Sequence, residues 1–215
     1  ETPWATAPMN PDGTPYYAPE PWAILPLSSK SHWDVTATLP NGQALHLLAS
    51  HPTPPVFDGP EDRNGLRNDG EIRLWVDYIN GAGWITDDQG GKGGLPEGAS
   101  FVILGDLNND PSKGDGKKPA LTAMLAHDLV QDPRPESPGA SATGDPGDTA
   151  DWPETGGPGN LRVDYALPSI HQSVVGSGVF WPANDDPRAA LVSDSSGRRT
   201  SSDHRLVWVD LEMAE

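Results

Sequence analysis

Apolar and polar positions along the chain fall into short strand-like and helix-like segments separated by loops rich in Pro and Gly. Residues 33–39 and 44–50 carry strand patterning and are joined by Leu39-Pro40-Asn41-Gly42-Gln43, whose Asn-Gly step predicts a β-hairpin. Phe101-Val102-Ile103-Leu104 is a continuous apolar run, as in a strand buried on both faces. Further strands are predicted within 161–167 and in the apolar run that follows His204. Ile72, Leu74, Trp75, Val76, Tyr78 and Ile79 leave an apolar helical face that ends at Gly81, after a polar loop over 52–70. A short helix is expected over 117–126.

The connecting segments differ in character. Residues 1–21 are rich in Pro, Gly and Tyr and predict an extended arm, with the domain proper over 22–215. Residues 83–98 form a Gly-rich loop without the Lys-Ser/Thr signature of a phosphate-binding loop. The stretch 132–160 is dense in Pro, Gly, Ser and Asp and too long for an ordinary connection, which predicts a lid or a mobile insertion.

Polar groups recur where the predicted strands end. The second strand runs into His51, and the third runs into Gly105-Asp106-Leu107-Asn108. Asp164 sits inside the apolar run 161–167, and Asp203 and His204 stand immediately before the last strand. A carboxylate in or at the mouth of a buried strand costs several kcal/mol unless a cation or imidazole compensates it. Taken singly, each is a turn residue or a satisfied core histidine; their recurrence in order predicts convergence on one site. An Asp–His pair suits proton transfer from water, because the carboxylate fixes the imidazole tautomer and stabilises its charged form.

The ordered set of His51, the GDLN turn with Asp106 and Asn108, the RVDY segment with Asp164, and the SDH segment with Asp203 and His204 resembles the endonuclease/exonuclease/phosphatase superfamily. The phrases SSKSHWDV, SHPTPPVFDGPEDRNG and NLRVDYALPS are similar to a secreted bacterial branch of it. The resemblance implies a four-layer α/β sandwich, two mixed sheets packed face to face with helices outside. It implies hydrolysis of a phosphoester, as phosphodiesterase or phosphatase, with a divalent cation: Mg²⁺, or Mn²⁺ or Ca²⁺. Asp203 would be a metal ligand and His204 would act on the attacking water or phosphoryl oxygen, oriented by Asp164. Asp106 and Asn108 would position nucleophile and phosphate and touch a second metal, and His51 would bind phosphate or assist the leaving group. The family's N-terminal Asn and Glu ligands have no counterpart before residue 22, so the chain is expected to be the C-terminal part of the fold, with an N-terminal fragment as a partner that completes it. Export from a bacterial cell is expected from the same branch. The rival expectation is a non-catalytic binding or structural module that keeps the sheets without a working metal site.

Composition narrows the substrate. The 215 residues suit one domain and carry a net charge of −17, which favours a small phosphoester over duplex nucleic acid, whose backbone calls for Lys and Arg. Arg198 and Arg199 beside the SDH segment could still meet one or two phosphates, or form a solvated loop. Zero cysteines exclude disulfides and thiolate metal sites, and no run of 18 apolar residues offers a membrane span. Asp145, Asp148 and Asp151 lack EF-hand spacing and are expected to be solvated. Trp208 is expected in the core, and Trp152 and Trp181 at a substrate groove or in packing.

Overall fold

The computed structural model describes residues 6–194 and 196–212, so Glu1 and the start of the expected arm lie outside the described residues. Two sheets are present. The first has the order β1(His32–Thr38), β2(Ala44–Ser50), β3(Phe101–Asp106), β4(Asp164–Pro168), and the second pairs β5(Ser173–Phe180) with β6(Leu206–Glu212). The first sheet is mixed: β1 runs antiparallel to β2, β2 parallel to β3, and β3 antiparallel to β4. After a short helix, α1(Pro19–Ile24), the predicted Asn-Gly hairpin joins β1 to β2, and the parallel β2–β3 step is carried by a crossover helix, α2(Arg63–Ile79).

One face of the first sheet packs on α2 and on α3(Pro119–Leu125). Leu48, Phe101, Ile103, Tyr165 and Leu167 from the strands meet Ile72, Trp75, Ile79, Leu121 and Met124 from the helices in the main core. Ile72, Trp75 and Ile79 recur at helical spacing, which sets the buried stripe of α2. Asp69 of α2 accepts from the Ala120 N–H at 3.0 Å and so caps the start of α3. The opposite face of the sheet looks toward the second sheet, where Leu45 and Leu211 line a shared cavity of about 360 Å³. The architecture is thus the α/β sandwich expected, and no described helix is long and apolar enough to cross a membrane.

Three expectations need correction or detail. Helix α2 begins at Arg63, well inside the stretch expected as a polar loop. Its first turns are buried through polar groups, with Asn68 and Glu71 fully inaccessible, so hydrophobic periodicity gave no sign of them. Trp208 is not in the core: it is 41% exposed and lies over Gly176 and Gly178 of the neighbouring strand, where the missing side chains leave it room. The stretch 132–160 carries a short helix, α4(Pro138–Thr143), and buries Ser137, Asp148, Thr149 and Asn160.

Candidate active site

Strand register creates the centre of the site. Asp106 ends β3 and is paired directly across the ladder with Asp164, the first residue of β4. Cross-strand neighbours point to the same face, so two carboxylates of like charge stand side by side. Burial and the facing charge of Asp164 push the Asp106 carboxyl above its ordinary range. Parallel pairing of β2 with β3 brings the residue after β2, His51, alongside: its Nε2 lies 3.4 Å from Asp106 Oδ2, and its side chain is half exposed.

His204 arrives from the second sheet. Residues 149–151 act as a clip between the sheets, because Ala150 forms antiparallel bridges to both Leu161 and His204. Asp151 N–H donates to the Asp203 carbonyl and Arg205 N–H donates to the Thr149 carbonyl, each at 2.8 Å. His204 Nδ1 then lies 3.0 and 3.1 Å from the two oxygens of Asp164, which selects the ring protonated at Nδ1. That hydrogen bond raises the imidazole pKa against the opposing pull of burial. Nε2 faces Asp106 Oδ2 at 3.9 Å. Thr149 completes the arrangement, donating its hydroxyl to Asp164 at 2.8 Å while accepting from the Val163 and Asp164 N–H groups.

Of the residues singled out from the sequence, Asp106, Asp164 and His204 are brought together, each offering one atom within 4.8 Å of the others. His51 stands at their rim. Asn108 takes a left-handed backbone (φ 52°), which Asn tolerates better than most residues; its N–H donates to Asp106 at 2.8 Å and its carboxamide to the Pro52 carbonyl at 3.0 Å. It therefore holds the loop that follows His51. The Asp203 carboxylate is turned elsewhere, accepting from Trp152 Nε1 at 3.0 Å and pairing with Arg199 at 3.4 Å. Although burial works the other way, the Trp152 bond holds Asp203 below the usual carboxylate range. Serving as a metal ligand would require it to leave these partners.

Sequence reasoning missed the residues behind the site. Asn68 donates to the carbonyls of Thr53 and Leu107, both at 2.9 Å, and accepts from Asn109. Glu71 accepts from the backbone N–H groups of Ser29 and Thr53, each at 2.6 Å. Polar residues mid-helix gave no signal because a solvated helix face is their commoner use. Tyr165 donates to the Asn109 carbonyl, and Arg162, two residues before Asp164, grips Asp132 with both terminal nitrogens. Burial alone would raise the Asp132 carboxyl, but the Arg162 fork overrides it and the net shift is downward. With the folded value lowered, the pair's stabilisation is complete above the ordinary carboxylate value of 3.8 and is lost as pH falls below it. Asp132→Asn is expected to flatten that acid limb in a pH series of denaturant midpoints and to cost about 3 kcal/mol at pH 7, as loss of one partner of a largely buried pair does. An unchanged acid limb would show that the pair is already broken in solution.

Paired carboxylates and an oriented imidazole at the ends of strands from two packed sheets define an α/β-sandwich protein with a polar, acid–base centre. The chain belongs to the Endonuclease/Exonuclease/phosphatase family, whose model matches residues 4–204; members of this family are hydrolases of phosphoesters. Among solved structures it is similar to an endonuclease/exonuclease/phosphatase from Beutenbergia cavernae, at 18% identity and TM-score 0.50, over 84% of this chain and 38% of that one. It is also similar to a family protein from Leptotrichia buccalis (16% identity, 84% of this chain and 52% of that one, TM-score 0.43). A third is sphingomyelinase C from Streptomyces griseocarneus (14% identity, 82% and 52%, TM-score 0.40). The chain thus spans about half or less of the length of each of these three. No curated protein matches it significantly.

Proposed function

We propose that this chain hydrolyses a phosphate ester of a small molecule with the help of a divalent cation. The observation that carries the reading is the convergence of Asp106, Asp164 and His204 from three separate strand ends. Two adjacent carboxylates, one of them held above its ordinary range by burial and by the other's charge, form a donor set that a hard cation relieves. Asp106 and Asp164 would hold it, with Mg²⁺ the first candidate and Mn²⁺ or Ca²⁺ of the same chemistry. When bound, such an ion neutralises phosphoryl oxygens and favours ionisation of water.

The side chains supply the rest. His204 accepts a proton at Nε2 from the attacking water, and Asp164 stabilises the imidazolium that results. The water oxygen bonds to phosphorus, the ester P–O bond breaks, and the leaving oxygen takes a proton from His51 at the open rim. Asn108, through Pro52, keeps His51 in place. The net charge of −17 supports a small substrate in preference to duplex nucleic acid.

The test is turnover of p-nitrophenyl phosphate and bis(p-nitrophenyl) phosphate with Mg²⁺, Mn²⁺ or Ca²⁺, and again after chelation. Metal-dependent release of nitrophenol, abolished by chelator, is expected. Absence of turnover with every ion, in a chain shown to be folded, would leave the non-catalytic binding module as the better reading.

A further inference from the structure

A groove of about 510 Å³ opens beside the Asp–His centre. Its volume falls in the range of small-molecule sites, about 300–1,000 Å³. Pro54, Pro55, Phe57, Trp152, Leu161 and Val163 give it apolar walls, and Asn108 lies on its border. It adjoins the centre through two of its lining residues: the indole of Trp152 meets the His204 ring edge-on at 5.4 Å between centroids, and the Asn108 N–H donates to Asp106.

Two aromatic residues are held at this groove without full burial, Trp152 through its side chain and Phe57 through its backbone. Trp152 is held by its Nε1–H on Asp203 and by its backbone N–H on Asn160 Oδ1 at 3.1 Å. Phe57 takes φ 64°, a left-handed backbone that bulky residues rarely adopt, yet its side chain is 88% exposed and gains nothing from burial. The loop around it is imposed by the first turn of α2: Asn64 donates its carboxamide to the Val56 carbonyl and its N–H to Asp58, both at 2.6 Å. Strain held in this way without a packing return marks a position kept for contact with something outside the chain.

Charge selects what that is. Among the described residues lining the groove, Lys113 is the only basic one, and its ammonium is already taken by Asp148 and the Asn160 carbonyl. A second phosphate or other anion would find no free cation there. The polar lining favours neither an anion nor a polyol: Asp110 and Asp115 add negative charge, and Asn109 and Asp110 are engaged within the chain, so most hydroxyls of a polyol would meet proline and aromatic carbon, whereas a flat ring can lie against Phe57 and Trp152.

We propose that the groove receives an uncharged, flat aromatic group borne by the phosphate ester, which makes aryl or heteroaryl phosphate esters the substrate class. The word substrate rests on the hydrolytic reading above; the binding preference does not. The experiment is calorimetric titration of the Mg²⁺-supplemented chain with phenylphosphonate and with methylphosphonate, which share a head group and differ in the ring. Phenylphosphonate is expected to bind about tenfold tighter or more. Phe57→Gly suits the left-handed backbone and is expected to fold at least as well, by melting temperature, while losing most of the preference. Equal affinity for the two ligands in the parent chain, no binding of either, or a full preference surviving in Phe57→Gly overturns the proposal. A clear phenyl preference without any ester hydrolysis would overturn the hydrolytic reading alone; hydrolysis without the preference would overturn the groove alone.

Discussion

His204→Ala is expected to lower phosphoester turnover by about 10²–10⁴-fold, the usual contribution of a positioned acid–base group. The side chain sits at the junction of the sheets, only partly buried, so its removal takes away the proton acceptor with little loss of packing. Asp164→Asn is expected to approach the same loss by two other routes, since it removes one of the two carboxylates proposed to hold the cation and also alters the imidazole. An amide at that position can offer an N–H to Nδ1, which turns the ring to the wrong tautomer and leaves Nε2 protonated and unable to accept. Turnover by the two variants and by the parent, with unfolding curves to show that all are folded, decides the matter. Activity in His204→Ala within a few-fold of the parent would remove the imidazole from the chemistry and with it the proposed mechanism.

Gly105→Ala is expected to be a severely damaging addition of a single methyl group beside the site. Gly105 has φ 137°, and a Cβ built there would stand 2.0 Å from the Ser50 carbonyl oxygen, a backbone atom of the neighbouring strand that cannot turn aside. Ser50 is further fixed by the Trp75 indole N–H, which donates to its hydroxyl at 2.8 Å. The strands β2 and β3 must part at the point where they deliver His51 and Asp106. A cost above about 4 kcal/mol is expected, a large share of the roughly 5–15 kcal/mol that holds a domain folded. Gly42→Ala is the control: its φ is also positive (84°), but nothing lies within 4 Å, so only about 1–2 kcal/mol of conformational strain applies. Denaturant midpoints compare the two. Equal destabilisation would mean that backbone conformation, and not the approach of the strands, is why glycine precedes Asp106.

These residues also show what the chain discloses before it is folded. The hairpin at Asn41-Gly42 and the buried run into Asp106 were legible, because turn chemistry and apolar runs are local signals, whereas the pairing of His204 with Asp164 was expected only from the family resemblance. The start of α2 was not, since Asn68 and Glu71 are buried through hydrogen bonds to residues 15 to 42 positions away. The clip at 149–151 was hidden for a different reason. It lies in a segment whose Pro, Gly, Ser and Asp content reads as an insertion, and its order comes from bridges to Leu161 and His204, each just before a strand of a different sheet. The Asp203 side chain was legible as polar and adjacent to His204, but its direction depends on Trp152, 51 residues earlier. Local pattern says which groups are expensive to bury; the identity of the group that compensates them is a property of the assembled chain.

The clip has a consequence for how the protein fails. Asp164 is anchored in the first sheet and His204 stands just before the last strand of the second, so the pair is divided between two structural units joined through residues 149–151. Opening of that short segment separates the pair while both sheets keep their own hydrogen bonds. Local opening of this kind has a lower free energy than global unfolding. Loss of the proposed activity on warming is therefore expected to precede loss of secondary structure, and amide protons of 149–151 are expected to exchange sooner than those of β3 and α2. The endurance of the site is then expected to follow residues 149–151 and the small cluster of Ala150, Leu161 and Val163 around them, and that of the fold the larger core under the first sheet.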